Sequence, residues 1–504
     1  MRTGAEYRQA LRDGRTVWVM GEGRIADVTT HPATSAMVDE YARWYDRHFD
    51  PAWRGILVSP HQADGERTAW AYLAPRRAED LIGMGRAFAK TLFLSAGNVT
   101  HTPAYGNLIA LGVATAVQAV DTSPERVTAA FGYRDDLAGS GRFLTFCGGA
   151  PIIGQRLRPN PADRVALKVV RETDAGVKLS GRLGMHTSPA YAEEVYVGGL
   201  SGIDLGGHRA SFIVPVAAPG VTVQCRQAAA RNQSRFAAPL SGRFDELDGQ
   251  MWLDDVFIPW ERVFFADTTP EAIPRWLRWH HLRGWLARAE FSLGLALALG
   301  DAMGLTRHDE TVEYLIDLVA VVQTGRSCLS AAEHEPEFTA AGHCFPGHAH
   351  LAAGGLALLK ARQRIAEILR ILPGSSLVVA PTDRDLAAPE LAQGLEDAFG
   401  GGGYTALQRA ALLQLAADHV SSALDAREAT FELHASGGMP MWRHWLRRSF
   451  GDYDALANAV LAAIDLPMPE IGLDAIRAAP IAARRPATAP ASDRDPRVKP
   501  AGGG

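Results

Sequence analysis

The sequence predicts a mainly α-helical protein with a β-rich domain in the middle of the chain. Two observations lead to this fold class. Runs with apolar residues at spacings of three and four fill both ends of the chain, whereas residues from about 146 to 270 hold short β-branched runs separated by Gly, Pro, Asp and Asn. We therefore expect a helical domain at 1–145, a β-barrel domain at 146–275, a helical bundle at 276–475 and a disordered tail at 476–504.

The first segment carries helical patterns on both sides of a polar loop. Apolar residues recur at three and four spacing through Met37 to Phe49, and an Ala/Leu-rich run extends from Leu108 to Ala119. Ser123 and Pro124 mark a further helix start, because a polar cap is followed by Pro early in the helix. These signals predict a helical domain before residue 145.

The middle segment reads as short strands joined by turns. The strand-like runs are Val165–Val170, Val177–Leu179, Glu194–Val197, Ser211–Val216 and Val221–Val223. The segment closes with Asp254 to Pro259, a strand that is ended by Pro. Several short strands separated by turn signals predict a small barrel or sandwich.

The third segment returns to long helical patterns. The predicted helices are Leu282–Met303, Thr311–Ser327, Leu351–Leu372 and Tyr404–His434. The end of the chain, from Ile481 onward, is rich in Ala, Pro, Gly and Arg and has no periodic apolar face. Such a composition buries too little apolar surface to offset the entropy of ordering, so we expect a disordered tail.

Composition excludes several classes of function. The chain has 504 residues and a net charge of −5 with both signs interspersed, so no broad basic face for nucleic acid is expected. The four cysteines form no C-x-x-C pair, which is typical of a reducing cytoplasm. The N-terminus lacks the apolar region of a secretion signal, and the apolar run Phe291 to Leu299 is too short for a bilayer. A cytoplasmic protein is expected.

A polar loop at residues 97–107 stands between two helical runs and offers an imidazole, His101, four residues before a phenol, Tyr105. Pro103 removes one backbone donor and disfavours helix at Thr102, so the loop should interrupt a helix and present side chains into a cavity. Loops held by rigid scaffolds often carry chemistry. An ordinary helix–helix connection with solvated polar residues would have the same composition.

This loop resembles the segment of the 4-hydroxyphenylacetate 3-hydroxylase family that has the form R-[ST]-P-x-Y and faces the flavin and the phenol. Further segments resemble the family, in the same order, over roughly residues 1 to 470. They are Thr3–Tyr7, Leu11–Arg15, Asp27–Pro32, Met251–Val263, Asp418–Ser422 and Asp425–Arg427. None of these motifs is specific to the family by itself, but their occurrence together in the family's order is.

The resemblance implies the acyl-CoA dehydrogenase-like fold and the oxygenase component of a two-component monooxygenase. Such an enzyme uses FAD as FADH2, with molecular oxygen as co-substrate, to hydroxylate an aromatic, phenolic substrate through a C4a-hydroperoxyflavin. A separate NAD(P)H-flavin reductase and a homotetramer are implied as well. The chain has no G-x-G-x-x-G motif opening a βαβ unit, so reduced flavin must come from elsewhere.

Two catalytic residues follow from this resemblance. Tyr105 matches the family's Tyr, whose hydroxyl bonds the substrate oxygen, while a buried structural Tyr is the alternative. His101 stands where the family has Arg, and Phe146 stands where the family has the His of a T-H-T pattern. Because His can act as a base and Arg cannot, we infer that His101 partly replaces the missing imidazole. Phe146 makes the substrate pocket more apolar, which suggests a substrate unlike 4-hydroxyphenylacetate.

The cofactor-binding candidates also come from matched positions. Thr187 and Ser188 stand where the family places a small hydroxyl residue against the flavin, although a turn residue bonding its own backbone is the alternative. Arg156 is kept from the family pattern, and Arg427 is a candidate for cofactor or interface contact. His281, before a long helix, is a candidate substrate contact or a helix-cap residue.

Other readings stay open. A flavin N-oxygenase, a hydroxylase of a heteroaromatic or carrier-tethered substrate, and a degenerate flavin-binding protein without turnover all remain. The 4-hydroxybutyryl-CoA dehydratases share the fold, but their iron–sulfur ligands are missing here. The Gly-rich stretch Gly199 to Arg209 is either a loop over the substrate or a hairpin connection. The His and Cys residues of His343 to His350 fit no regular ligand spacing, so no metal is expected.

Overall fold

A computed structural model of the chain defines the fold. It describes residues 1–62, 67–120, 123–147, 165–198, 203–205, 208–230, 233–265, 272–434, 437–464, 469, 472–474 and 476. Arg156, most of the predicted tail and residues 199–202 and 206–207 of the Gly-rich stretch lie outside the described residues. The predictions made for them stay predictions.

The first part of the chain is mainly helical, with short strands between the helices. Its elements are α1 (Gly4–Ala10), β1 (Val17–Val19), β2 (Gly23–Ile25), α2 (Ser35–Asp46), α3 (Pro51–Leu57), β3 (Val58–Gln62), β4 (Arg67–Ala69), α4 (Ala78–Phe93), α5 (Pro103–Val120) and α6 (Pro124–Ser140). As the sequence predicts, α6 begins with Ser123 as its cap, because the Ser123 hydroxyl accepts the N–H of Arg126 and Pro124 follows at the first helical position.

Strands dominate the middle of the chain. They are β5 (Leu144–Cys147), β6 (Lys168–Thr173), β7 (Gly176–Thr187), β8 (Glu194–Val197), β9 (Ile203–Leu205), β10 (His208–Pro215), β11 (Val221–Cys225), β12 (Asp248–Pro259) and β13 (Val263–Phe265). One sheet has the order β2-β1-β11-β12-β7-β6, and the other has the order β13-β10-β8-β5 with β9 on β10. The sequence analysis missed β1 and β2, which join the first sheet through parallel pairing of β1 with β11.

The last part is a helical bundle. Its elements are α7 (Ala272–Ala302), α8 (Asp309–His334), β14 (Glu337–Phe338), β15 (Cys344–Phe345), α9 (His348–Ile371), α10 (Asp383–Leu386), α11 (Pro389–Phe399), α12 (Ala406–Val420), α13 (Ala423–His434), α14 (Gly438–Ser449) and α15 (Tyr453–Leu461). The single helix predicted over Tyr404–His434 is wrong. The helix stops at Ser421, and the Ser422 hydroxyl starts α13 by accepting the N–H of Asp425.

Three parts of the fold meet at the loop between α4 and α5. Helix α5 packs on α7 and on β5. Gly97, with φ +74°, brings the loop so close to α7 that a Cβ at this position would lie 2.4 Å from the carbonyl oxygen of Gly284. Gly106 on α5 is equally close to the Leu144 carbonyl of β5. The loop is therefore held on one side by the bundle and on the other by the sheet.

A group of buried tryptophans lines the same region of the bundle. Its members are Trp276, Trp279, Trp285, Trp442 and Trp445. The rings of Trp285 and Trp442 lie 5.2 Å apart, and those of Trp442 and Trp445 lie 5.5 Å apart. These contacts fix α14 against α7, because large aromatic side chains contribute most to packing where they are fully buried.

Helix α8 differs from α7 in burial. Val312, Ile316 and Val319 recur at spacings of four and three on its outer face and are all exposed. Among the described helices, α8 alone has the length and composition that a membrane span would need. Its inner face packs on α7 and α9. A bundle helix whose apolar outer face is covered by another protein chain can have the same length and composition as a membrane span.

Candidate active site

The loop between α4 and α5 is an interior feature of the protein. Its residues from Ser95 to Thr102 are almost all buried, including His101, which is 4% exposed. The predicted break in the helix is confirmed, but the loop is shorter than predicted: it ends at Thr102, and Pro103 begins α5, where its missing N–H costs no helical hydrogen bond. The prediction of a solvated connection is thereby excluded, and the side chains of His101 and Tyr105 point into the protein.

His101 and Tyr105 form a compact cluster with two histidines of α7. The ring centres of His101 and Tyr105 lie 4.5 Å apart. Tyr105 lies 5.5 Å from both His280 and His281, and His101 lies 6.1 Å from His281. Phe431 of α13 closes one side with edge contacts to His101 and His281. The structure thus brings three predicted residues, His101, Tyr105 and His281, into one buried cluster with His280, which we call the imidazole–phenol cluster.

Burial keeps His280, His281 and Tyr105 of this cluster neutral. It lowers the pKa of His280 to about 3 and holds the pKa of His281 well below its ordinary value. Burial, aided by the charge of Glu246, raises the pKa of Tyr105, so its hydroxyl stays a donor at neutral pH. Within the described residues neither the Tyr105 hydroxyl nor the Nε2 of His101 has a hydrogen-bond partner, and neither atom is sealed by neighbouring side chains.

Glu246 lies directly behind the loop and was missed by the sequence analysis. Its carboxylate is fully buried and accepts the backbone N–H of His101 at 2.9 Å. Its second oxygen lies 3.4 Å from Nδ1 of the same histidine. Because a carboxylate only accepts, this contact assigns the proton of neutral His101 to Nδ1 and leaves Nε2 as an acceptor.

Thr187 and Ser188 form the wall opposite the loop. The Ser188 backbone is in the left-handed region, with φ +62°, and its hydroxyl lies 2.8 Å from that of Tyr41. Tyr41 in turn donates to the carbonyl oxygen of His101 at 2.7 Å, so it accepts from Ser188. A non-glycine residue in this conformation persists only where its surroundings hold it, and such residues concentrate at functional sites. One phenol therefore ties the strand end to the loop.

A buried network of carboxylates and guanidinium groups lies beside Thr187. Arg427 donates to Asp248 at 2.6 Å and to the Thr187 hydroxyl at 3.3 Å, and it also pairs with Glu246 and Glu428. Arg226 pairs with Asp248 from the other side at 3.0 Å. We call these residues the carboxylate–guanidinium network. It supports the position of Arg427 next to the predicted cofactor wall.

The charges of the network are mutually compensated. Burial alone would raise the pKa of Asp248, but Arg427 and Arg226 outweigh it and hold that pKa below its ordinary value. Burial raises the pKa of Glu428 to about 7, although Arg427 and Arg288 oppose the rise. Asp248 is therefore a permanent anion of the site, whereas Glu428 can exchange a proton near neutral pH.

A cleft of about 470 Å³ opens beside the network. It is lined by Arg226, Gln227, Ala228, Ala229, Gln233, Ala423 and Arg427. Next to Thr187 in the chain, Nδ1 of His186 donates to the Gly184 carbonyl at 3.1 Å, and among the described residues its buried Nε2 has no hydrogen-bond partner. The cleft leaves room for a polar ligand beside the network.

The family models match almost the whole chain. The N-terminal model of 4-hydroxyphenylacetate 3-hydroxylase matches residues 3–265, and the C-terminal model matches residues 276–461. The chain belongs to the 4-hydroxyphenylacetate 3-hydroxylase family. The family predicted from the loop and its companion motifs is thereby confirmed.

Similar proteins agree with this assignment. The chain is 28% identical to the 4-hydroxyphenylacetate 3-monooxygenase oxygenase component of Thermus thermophilus, over 86% of this chain and 91% of that one. It is 31% identical to the 4-nitrophenol 4-monooxygenase/4-nitrocatechol 2-monooxygenase oxygenase component of Rhodococcus opacus, over 86% and 85% of the two chains. A crystal structure of a 4-hydroxyphenylacetate 3-monooxygenase oxygenase component complexed with FAD superposes with a TM-score of 0.83, at 26% identity over 92% and 98% of the chains.

Membership of the 4-hydroxyphenylacetate 3-hydroxylase family confirms the predicted fold and class. The chain has the acyl-CoA dehydrogenase-like fold, with helices on either side of a sheet domain. It is a flavin-dependent monooxygenase, the oxygenase component of a two-component system, and uses FAD as FADH2 together with molecular oxygen. The cleft near Thr187 offers hydrogen-bond donors to a flavin, because it is lined by the guanidinium groups of Arg226 and Arg427 and by the amides of Gln227 and Gln233.

Phe146 lies apart from the imidazole–phenol cluster in its described ring contact. Its ring stacks on Tyr196 at 5.7 Å, while the next side chain, Thr145, donates to the Thr187 carbonyl at 2.7 Å. Successive side chains of a strand point to opposite faces, so Phe146 and Thr145 face different sides of β5. The role of Phe146 in substrate binding stays a prediction.

The His and Cys residues after α8 take separate partners. The His343 ring stacks on Phe131, the Cys344 thiol donates to the Arg77 carbonyl, and His350 pairs with Glu335. Among the described residues, no three His, Cys, Asp or Glu side chains stand close enough to hold a metal ion.

Proposed function

We propose that this protein hydroxylates a phenolic ring bound against the imidazole–phenol cluster. The observation that carries the proposal is the pair of open groups in the imidazole–phenol cluster, the donor of Tyr105 and the acceptor Nε2 of His101. A neutral phenol needs both kinds of partner. It donates its O–H to an acceptor and accepts a hydrogen bond on the same oxygen.

In the proposed reaction His101 takes the phenol proton at Nε2, and Tyr105 donates to the phenolate oxygen. Phenolate formation pushes electron density onto the ring carbons, which makes them better nucleophiles, and a free phenol with a pKa near 10 needs this help at neutral pH. Bound reduced FAD supplies two electrons to oxygen. The ring supplies the other two, so one oxygen atom enters the ring and the other leaves as water.

The cofactor would be held by the wall opposite the loop. Thr187, Ser188 and Arg427 are the proposed contacts, and Arg156 is proposed from its place in the family pattern. The supporting facts are the Thr187–Arg427 hydrogen bond and the free acceptor of His186. Exclusion of bulk water follows from burial, since Tyr105 is 1% exposed. A dry pocket strengthens every hydrogen bond to the reacting oxygen.

Reduced flavin would come from a separate NAD(P)H-flavin reductase, and the substrate would be a small aromatic molecule. The relatives, which are oxygenase components, support this division of labour. A more apolar substrate than 4-hydroxyphenylacetate is proposed from the family pattern alone, in which Phe146 replaces an imidazole, because the described ring contact of Phe146 is with Tyr196. We propose no nucleic-acid partner and no membrane partner.

The test is rapid mixing of protein loaded with anaerobically reduced FAD against oxygenated buffer, with and without a panel of phenols. We expect a transient flavin absorbance distinct from both the reduced and the oxidised forms, and a faster decay with a matching phenol. Hydroxylated product should appear in proportion to the FAD oxidised. Immediate reoxidation without product from any phenol, at the rate of free reduced FAD, would contradict the proposal.

We further propose a cytoplasmic homotetramer. The exposed stripe of Val312, Ile316 and Val319 on α8 supports burial of this face by a second copy, because isolated chains rarely leave such a face in water. Ile316→Glu should release smaller species in size-exclusion chromatography with light scattering, because it would bury a charge. Val378→Glu, at a more exposed position, is the control and should leave the assembly intact. A wild-type chain that runs as a monomer contradicts this proposal.

A further inference from the structure

Glu246 is the point where the two parts of the site touch. One of its carboxylate oxygens bonds the His101 backbone, and the other lies 3.4 Å both from Nδ1 of His101 and from Nη1 of Arg427. Thr100 adds its backbone N–H at 3.3 Å and its hydroxyl at 3.4 Å. A carboxylate buried this deeply and contacted by five polar groups has one orientation, so it fixes the loop and the imidazole together.

The other groups around His101 leave Glu246 as its charge partner. The neighbouring titratable groups are Tyr105 on α5, His280 and His281 on α7, His186 on β7 and Arg427 on α13. Burial keeps the α7 histidines neutral by lowering their pKa values, and it lowers the pKa of His186 to about 4. Arg427 is cationic and would oppose a positive charge on His101. Among the described residues, Glu246 is the carboxylate in direct contact with that ring.

We propose that Glu246 is the positioning residue of His101. It holds the proton on Nδ1, which turns Nε2 toward the phenol as an acceptor, and it stabilises the imidazolium that forms when the phenol O–H bond breaks and the proton moves to Nε2. Glu246 itself takes no proton, and the phenol oxygen keeps the electron pair. This inference rests on the proposed function, in which His101 is the base.

The distance of 3.4 Å fits this role. A neutral imidazole makes a long contact with the carboxylate, and a cationic one would strengthen it, because charge-assisted hydrogen bonds are shorter and stronger. The contact therefore favours the state after proton transfer over the state before it. An arginine at position 101, as the family pattern has, would be a fixed cation and would need no such adjustment.

The decisive experiment compares Glu246→Gln with Glu333→Gln on two phenols. Glu333 on α8 is also buried but accepts from Trp279 and Arg283 of α7 instead of from His101, so it is a matched control for removing a buried carboxylate. One phenol should be neutral at the assay pH. The other should be a nitrated derivative of similar shape that is already ionised and needs no base.

For the neutral phenol, Glu246→Gln should lower kcat about a hundredfold with KM within about twofold, the scale of losing assistance to a general base. For the ionised phenol the loss should be less than about fivefold. The acidic limb of the pH–rate profile should move to lower pH, because the imidazolium loses its anionic partner. Glu246→Asp should restore part of the activity, since it returns the charge. FAD binding, followed by absorbance, reports whether each variant is folded.

Equal losses on the two phenols, with the pH profile unmoved, would overturn the role of Glu246 and assign it to structure alone. If the Gln variant does not retain FAD, Glu246→Asp takes its place. Equal losses on the two phenols and an unmoved pH profile in Glu246→Asp would then overturn the role of Glu246. The base role is tested separately with His101→Gln. Full activity of that variant on the neutral phenol removes the proposed base itself, whereas an impaired His101→Gln with an unaffected Glu246→Gln removes only the inference about Glu246.

Discussion

The imidazole–phenol cluster and the carboxylate–guanidinium network lie side by side but differ in charge and in hydrogen bonding. In the cluster Tyr105 and the α7 histidines are neutral, and the Tyr105 hydroxyl and His101 Nε2 are left open within the described residues. In the network every described charge faces an opposite charge, as Arg427 does with Asp248. Open polar groups in a buried wall are costly unless a ligand takes them up, whereas paired charges hold shape. The cluster is therefore equipped for chemistry and the network for support.

The largest effect should come from breaking the network. Arg427→Met removes the cation shared by Asp248, Glu246 and Glu428 and leaves buried negative charges unpaired, which typically costs about 3 to 5 kcal/mol. We expect a clearly lower thermal unfolding midpoint and loss of FAD binding.

The control for this change is Arg364→Met, an exposed arginine that pairs with Asp317 and Glu367. Exposed pairs contribute little to stability, because water and salt screen both charges. Calorimetry of the two variants should separate them. Similar midpoints would mean that the network does not support the fold.

Tyr105→Phe should act on chemistry with little effect on stability. The variant loses only the open hydroxyl, which has no protein partner among the described residues. We expect product formation to fall about a hundredfold, equivalent to ~2.7 kcal/mol of transition-state stabilisation, with FAD affinity unchanged. Tyr133→Phe, whose hydroxyl donates to Glu194 elsewhere, is the control and should keep wild-type turnover. Unchanged product formation in Tyr105→Phe would remove this phenol from the reaction.

Lowering the pH of the wild-type protein should weaken the stability contributed by the two regions over different pH ranges. Burial lowers the pKa of His186 to about 4 and that of His280 to about 3, against an ordinary value of 6.5. Both bind protons in the unfolded chain before they do so in the folded one, so stability falls as pH drops below 6.5, by about 1 kcal/mol per histidine per pH unit. The pKa of Asp248 is held below 3.8, so its contribution is lost only at lower pH.

The measurement is thermal unfolding as a function of pH in the wild type and in His280→Asn. The variant should lose part of the slope between pH 6.5 and pH 4 and keep the steep fall below it. A slope that is the same in both proteins would show that His280 is not held neutral by the fold.

The smallest effect concerns the strained wall residue. Ser188→Ala and Ser188→Gly both lose the contact with Tyr41. The Ala variant must still adopt the positive φ, which is unfavourable for alanine, whereas glycine adopts it without strain. We expect the Ala variant to be less stable than the Gly variant by about 1 kcal/mol. Chemical denaturation of the two proteins side by side measures this difference directly. An Ala variant as stable as the Gly variant would show that the backbone stores no strain here.

Much of the fold was predictable because its signals are local. Pro103, the cap at Ser123 and the apolar spacing of the bundle helices act within a few residues of where they stand, and the structure confirms each of them. The break at Ser421 and Ser422 was missed because the apolar pattern continues through it, while the hydroxyl that stops the helix gives a weaker signal. Strand β1 is three residues long and pairs with a strand some two hundred residues away, so no local pattern marks it.

The site residues likewise divide into those that the sequence predicted and one that it did not. His101 and Tyr105 share one loop and one helix start, so their meeting was predictable, and the resemblance to the family pointed to Thr187 and Arg427. Glu246 was not predictable in this way, because its partner His101 is 145 residues distant. A signal was present, since Asp245, Glu246 and Asp248 form an acidic run directly before a buried strand, where charge is rare unless it is paired.

The tryptophans packed along α7 and α14 give the protein an optical reporter of its own. Trp285 stacks on His281, which belongs to the wall of the candidate site. Indole emission overlaps the absorption of oxidised flavin, so a flavin seated near this wall will draw off the excitation and dim the fluorescence of the protein. Occupancy of the pocket can then be followed during a titration, or during exchange of flavin with a reductase, without dye, label or turnover.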